Sequence, residues 1–272
     1  MRTNTGIFKS LNLNATDAEF QNAGFHNSIY REKNITSYLS DGSLWTRISS
    51  GKFDDLFIGD YFNVTLNGTN VLMRVACCNP FKGFGTLSTA VSTNHIMIIP
   101  DVSLENAPMN ASGGTAGGYV NSDMCKTTLP KWVGYLETAL GAAHVLSTTE
   151  LLTNSVDANA KNCMIPSLSG ASNNTLASNT KANLLSETEV CGHMSCSSSG
   201  YESSSANYGQ LPLFRLNPEK IFCLYTSNSH ANYWLRNVAS SNKFCFVSSY
   251  GQLDYLPSDN EHIAVRPRFV IG

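Results

Sequence analysis

The stretch from residue 221 to 270 constrains the fold of this chain more than any other. It breaks into five short runs, 221–225, 233–238, 244–249, 253–256 and 263–270, in which large apolar residues alternate with polar or aromatic ones. A period of two marks a half-buried strand, because successive side chains point to opposite faces. Gly251 and the cluster Pro257-Ser258-Asp259-Asn260 fall between runs, where turns are needed. Trp234, Leu235, Val238, Phe244, Phe246, Val247, Val265 and Phe269 are the expected anchors. The pattern predicts an antiparallel sheet with one buried face and one presented face.

Earlier segments add strands and helices, which makes the expected class α+β. Residues 61–66 and 70–76 flank Asn67-Gly68, whose readiness for positive φ suits a tight hairpin turn. Residues 95–100 read as a buried strand closed by Pro100. Val120, Met124, Trp132, Leu136 and Leu140 share one face of a helix expected over 122–140, with Gly141 as its cap and a kink or break at Pro130. Ser147-Thr-Thr-Glu150 and Ser186-Glu-Thr-Glu189 both fit a helix capping box. Residues 211–216 read as a strand, and Asn217-Pro218 as a helix start. Long Ser- and Asn-rich loops are expected near 167–182 and 195–208. Residues 1–50 show weak periodicity, with one short helix near 17–23. They are expected to form an attachment or oligomerisation segment ahead of a single domain over 51–272.

Composition excludes several functions. Charged residues make up 14% of the chain, against about 25% in an average globular protein, and Ser, Thr, Asn and Gly take their place. Net charge is −2 and Lys and Arg form no run, so a nucleic-acid backbone is not an expected partner. No apolar stretch approaches the roughly 18 residues of a membrane span, and the N-terminus, MRTNTGIFKSLNLNATD, does not read as a secretory signal. The Gly113–Gly118 loop follows no strand directly and lacks the Gly-Lys-Ser/Thr ending of a phosphate cradle. Eight cysteines include the vicinal pair Cys77-Cys78. In a chain of this length they read as reduced, semi-buried side chains and not as a disulfide scaffold.

Several motifs then point to a family. Tyr233-Trp-Leu-Arg-Asn-Val238, Phe244-Cys-Phe-Val247, Gly251 and Val265-Arg-Pro-Arg-Phe-Val-Ile-Gly272 resemble the C-terminal core of C-type-lectin-fold proteins. More narrowly, they resemble the variable proteins of diversity-generating retroelements, the major-tropism-determinant-like receptor-binding proteins of phages and prophages. The likeness extends over about residues 53–272. It implies a C-type-lectin-like fold with a mixed or antiparallel sheet, two helices and long loops. It also implies a variable region at about 232–262 that binds a protein or glycan on a bacterial surface. The protein would be displayed on a phage tail or at the bacterial surface as a homo-oligomer, such as a trimer.

The ligand-binding positions expected on the presented face are Asn232, Tyr233, Asn237, Ser241, Asn242, Cys245, Ser248, Tyr250, Asp254, Tyr255, Asp259, Asn260 and His262. Tyr, Ser, Asn and Asp are the residues of adaptable paratopes, which combine rigid amphipathic rings with versatile hydrogen bonding. The resemblance also implies that variable positions arise from Asn codons copied from a template with adenine-directed errors, a pattern from which Lys243, Gln252 and Glu261 depart. Arg236 and Arg266 read as fold-holding guanidiniums with internal partners. No catalysis and no cofactor are expected. Cys191-Gly-His193-Met-Ser-Cys196 has no usual zinc spacing, and calcium-binding lectin motifs are absent. The alternatives are an oxidase of the formylglycine-generating type, using a pair such as Cys223 with His230 or Cys245 with His262, and a structural tail or adhesin piece.

Overall fold

The computed structural model describes residues 23–82, 93–153, 174–197, 209–225 and 227–272. Three short helices open the described chain: α1 (Ala23–His26), α2 (Thr36–Ser40) and α3 (Ser43–Ser49). The hairpin β1 (Tyr61–Leu66) and β2 (Thr69–Cys78) follows, then β3 (Ile96–Pro100). A π-helical turn, Met124–Thr128, runs into α4 (Leu129–Leu140). Next come β4 (Thr148–Thr153), β5 (Asn174–Thr180), β6 (Ala182–Leu184), α5 (Glu187–Cys191) and α6 (Pro212–Leu216). The chain ends with β7 (Cys223–Leu224), β8 (His230–Ala231), β9 (Tyr233–Ser240), β10 (Lys243–Val247), β11 (Leu253–Pro257) and β12 (Pro267–Ile271). The class is α+β: antiparallel sheets with two helices of seven or more residues, α3 and α4.

The main sheet has the order β1-β2-β3-β12-β6, so the last strand is inserted between β3 and β6. Both β3 and β12 are buried at every position, which explains their unbroken apolar runs where one-sided strands would alternate. The Asn67-Gly68 hairpin forms as expected, with Leu66 opposite Thr69 and both turn residues at positive φ. The break expected at Pro130 falls just ahead of it, where the π turn of Met124–Thr128 gives way to α4, and Pro130 sits in the first turn of α4.

The structure corrects several expectations. Residues 212–216 are helical, not extended, with Pro212 at the helix start. Ser147-Thr-Thr-Glu150 caps no helix, because Thr148–Thr153 pairs with Asn174–Thr180 as β4 and β5. The last five runs do not share one sheet: β9, β10 and β11 form a three-stranded meander, while β12 joins the main sheet. Ile35, Leu44 and Ile48 are fully buried in the common core. Arg31 donates two hydrogen bonds to the buried Asp60 carboxylate, at 2.9 and 2.6 Å. The expected helix near 17–23 falls almost wholly outside the described residues.

One carboxylate joins three elements. Glu189 closes a capping box at α5, its Oε2 accepting the Ser186 N–H at 2.7 Å while Ser186 Oγ accepts the Glu189 N–H. The same carboxylate lies 3.3 Å from Arg236 Nη1 on β9 and 3.0 Å from Arg268 Nε on β12. All three side chains are buried. Removing the acid takes a counter-charge from two buried guanidiniums, so Glu189→Ala is expected to cost about 3–5 kcal/mol, read from the urea midpoint. A loss below about 1 kcal/mol would show the charges compensated elsewhere.

His95 supplies a second test. It is buried, its Nε2 accepts the Phe81 N–H at 3.1 Å, and its Nδ1 lies 2.9 Å from the Thr93 carbonyl, which fixes the neutral tautomer. Burial pushes its pKa down to about 4 from 6.5. A histidine held neutral stabilises the fold above its unfolded pKa, and that contribution is lost as protons bind. Stability is therefore expected to fall by roughly 3 kcal/mol between about pH 6.5 and 4, a slope that His95→Gln should flatten.

Candidate functional site

The meander places the expected binding positions in distinct settings. β9 is buried from Tyr233 to Ala239, and Phe244–Val247 of β10 are buried throughout. These strands form the floor. β11 is the outer strand and has no buried side chain: Leu253 and Leu256 are half-buried, and Asp254, Tyr255 and Pro257 are exposed. The exposed surface therefore lies along β11 and the turns at its two ends.

At one end, Ser241 and Asn242 make the β9–β10 turn, and 258–262 follow β11 back to the same place. The Ser258 N–H reaches the Asn242 carbonyl, and Met109 and Asn110 donate to the Ser258 carbonyl at 2.8 and 2.9 Å. The glycine-rich loop docks here too, Thr115 donating its N–H to the Ser241 carbonyl and its hydroxyl to the Ser240 carbonyl. Gly113 and Gly114 hold φ near +80°, which lets their backbone pass beside Asp259 and Ser241. Ser241, Asn242, Asp259 and His262 are exposed and Asn260 half-buried, its Oδ1 accepting the His262 N–H.

At the other end, Ser248 organises the β10–β11 turn: its Oγ accepts from the N–H groups of Tyr250 and Gln252. Asn232 Oδ1 accepts the Ser249 N–H at 2.7 Å. Tyr250 stands at the tip with 84% of its surface exposed. Between the ends, Asp254 and Tyr255 are exposed on β11, and Lys243 Nζ sits 4.8 Å from the centre of the Tyr255 ring. Gln252 and Glu261 are exposed as well. Lys243, set aside on codon grounds, is therefore part of the surface; its opposition to the far end of β11 is the signal that pairing makes visible.

Three expected positions do not reach this surface. Tyr233 is fully buried, donating its hydroxyl to the Ile221 carbonyl beneath the Arg266 guanidinium. Asn237 is fully buried, its Oδ1 accepting the Glu187 N–H at the start of α5. Cys245 is fully buried at the centre of β10. Arg236 and Arg266 are buried with internal partners, Arg266 donating to the carbonyls of Pro100, Lys220 and Ile221.

The outer edge of β11 has lost two of its three outward backbone donors. Bonds from Ser248 N to Gln252 O and from Ser258 N to Asn242 O fix the parity of the ladder, so even-numbered residues of β11 face β10 and odd-numbered ones face outward. Of the outward donors, Pro257 has no N–H, and that of Tyr255 is taken by Asp254 Oδ1 at 2.8 Å. Loss of those donors disfavours strand addition at this edge.

Other candidate chemistry is weak. Cys77, Cys78, Cys191 and Cys223 are free thiols. Burial pushes Cys77 up to about 12 and Cys191 and Cys223 up to about 11, the opposite of what activates a nucleophile. His144 stacks on Trp45 at 3.7 Å with Nδ1 2.7 Å from the Gly272 carbonyl. No group of three or more His, Cys, Asp or Glu among the described residues is placed to hold a metal ion. No described helix is long and apolar enough to cross a membrane.

A family model for a domain of unknown function, DUF6273, matches residues 6–272. The chain belongs to the DUF6273 family. No curated protein and no solved structure matches it. The DUF6273 match takes in residues 23–50 together with the rest, in keeping with the burial of Ile35, Leu44 and Ile48.

Restoring the missing edge donors tests whether their loss protects the edge. The double variant Asp254→Ala, Pro257→Val is expected to shift sedimentation toward larger species than wild type as concentration rises. Identical distributions would show the edge protected by something else.

Proposed function

We propose that this chain is a non-catalytic ligand-binding protein of the C-type-lectin-like kind, displaying a variable surface along β11 and its flanking turns. The observation that carries the reading is the division of the meander into a buried floor, β9 and β10, and an outer layer of Tyr250, Asp254, Tyr255, Asp259 and His262. Substitution in the outer layer leaves the floor's packing unchanged, which is the property a diversified surface requires. The proposed face comprises Asn232, Ser241, Asn242, Ser248, Tyr250, Asp254, Tyr255, Asp259, Asn260 and His262. The ligand is a protein or glycan of a bacterial surface, met by a phage tail or another display structure. A homo-oligomer, such as a trimer, strengthens weak single contacts through effective concentration.

Tyr250 and Tyr255 are the proposed anchors, because aromatic side chains carry most of the energy of such contacts. Labelled protein is incubated with a panel of intact bacterial strains. Against a strain that binds wild type, Tyr250→Ala and Tyr255→Ala are each expected to weaken binding by about tenfold or more. Their unfolding midpoints should move by less than about 0.5 kcal/mol in free energy. Undiminished binding by both variants would remove the face from the reading.

A further inference from the structure

A second recognition site lies away from the meander. The tip of the β1–β2 hairpin, the loop after β3, the start of α4 and the β7–β8 turn together line a cleft of about 440 Å³. That falls in the range of small-molecule sites, roughly 300–1,000 Å³. None of the positions proposed for the variable face lines it.

Its chemistry is unusually neutral. Asn67, Thr69, Asn70 and Asn228 are exposed at its rim, and none of these side chains hydrogen-bonds to a described residue. An amide presents both donors and an acceptor, and a hydroxyl serves as either. The charged residues in the cleft, Glu105 and Lys131, neutralise each other at 2.7 Å. The other Glu105 oxygen accepts the Trp132 indole N–H at 2.5 Å, so the carboxylate is held in place while keeping acceptor capacity toward the opening. Leu66, Val71, Val102 and Leu104 supply apolar surface between these groups.

An anion finds no unpaired cation here, a cation finds no unpaired carboxylate, and a purely apolar ligand would desolvate the amides without pairing them. A ring with hydroxyls around its edge and C–H groups on its face satisfies both the rim and the apolar wall. We propose that this cleft binds a neutral saccharide unit, with Asn67, Asn70 and Asn228 hydrogen-bonding its hydroxyls and Glu105 accepting from one of them. The site is independent of the variable face, and either can exist without the other.

The test follows the side-chain amide signals of Asn67, Asn70 and Asn228 and the Trp132 indole signal in the ¹H–¹⁵N spectrum of the whole chain. The probes are free glucose, galactose, rhamnose and N-acetylglucosamine, each titrated to about 10 mM. Saturable shifts of these signals by at least one sugar are expected, with a dissociation constant on the order of 1 mM. Asn70→Trp, an exposed hairpin substitution that fills the cleft, should weaken binding about tenfold or more, whereas Tyr250→Ala should leave it unchanged. No saturable shift with any of the sugars overturns the proposal. So do shifts that persist undiminished in Asn70→Trp, or shifts confined to residues of β11.

Discussion

The fold depends most on the Glu189 carboxylate. Two guanidiniums, Arg236 and Arg268, are buried on strands of different sheets, and neither is tolerable there without a counter-charge. Glu189 supplies it for both while its backbone and side chain close the capping box of α5. Its neighbour in the helix acts similarly: Glu187 accepts N–H groups from Cys196 and Ser197 at 2.8 and 3.1 Å, fixing the chain after α5. A five-residue helix of little intrinsic stability thereby becomes the fastening between the main sheet and the meander.

That fastening also holds the floor of the candidate surface in place. Arg236 N–H bonds the Leu185 carbonyl just after β6, and Asn237 bonds the start of α5, so the middle of β9 is held by the β6–α5 connection as well as by β10. Tyr233 is held from the other side by Arg266 and Ile221. The layer above, from Ser248 to His262, is tied down chiefly by local turn bonds of Ser248, Asp254 and Asn260. The side chains of Tyr250 and Tyr255 project into solvent and take no part in those bonds.

The parts of this architecture that follow from local chemistry were legible in the sequence. Asn67-Gly68 encodes its turn directly, and Ser186 with Glu189 encodes a cap within four residues. The run 211–216 reads as a strand yet folds as a helix, because an apolar stretch of that length fits a short buried helix as well as a strand, and only Pro212 points to the helix. Ser147-Thr-Thr-Glu150 satisfied a capping pattern, yet its Thr-rich sequence pairs with 174–180, a partner that no local window contains. The misplaced site residues have the same cause. Alternation distinguishes the two faces of a strand but not whether a second layer covers the other face, and Tyr233, Asn237 and Cys245 lie where one does. The exposed positions, Tyr250 and Asp254 through His262, were legible because turn residues and an edge strand leave little to bury them.

The central claim, a diversified surface on a fixed floor, is tested most directly in the coding DNA around this gene. The account expects a near-copy of the codons for residues 233–272 beside a reverse transcriptase, differing where it carries adenine. Those differences should fall on codons for the exposed layer, such as Tyr250, Asp254, Tyr255 and Asp259, and spare the anchors Trp234, Phe244 and Phe246. A template whose differences fall on the anchors, or flanking DNA with neither template nor reverse transcriptase, would contradict it.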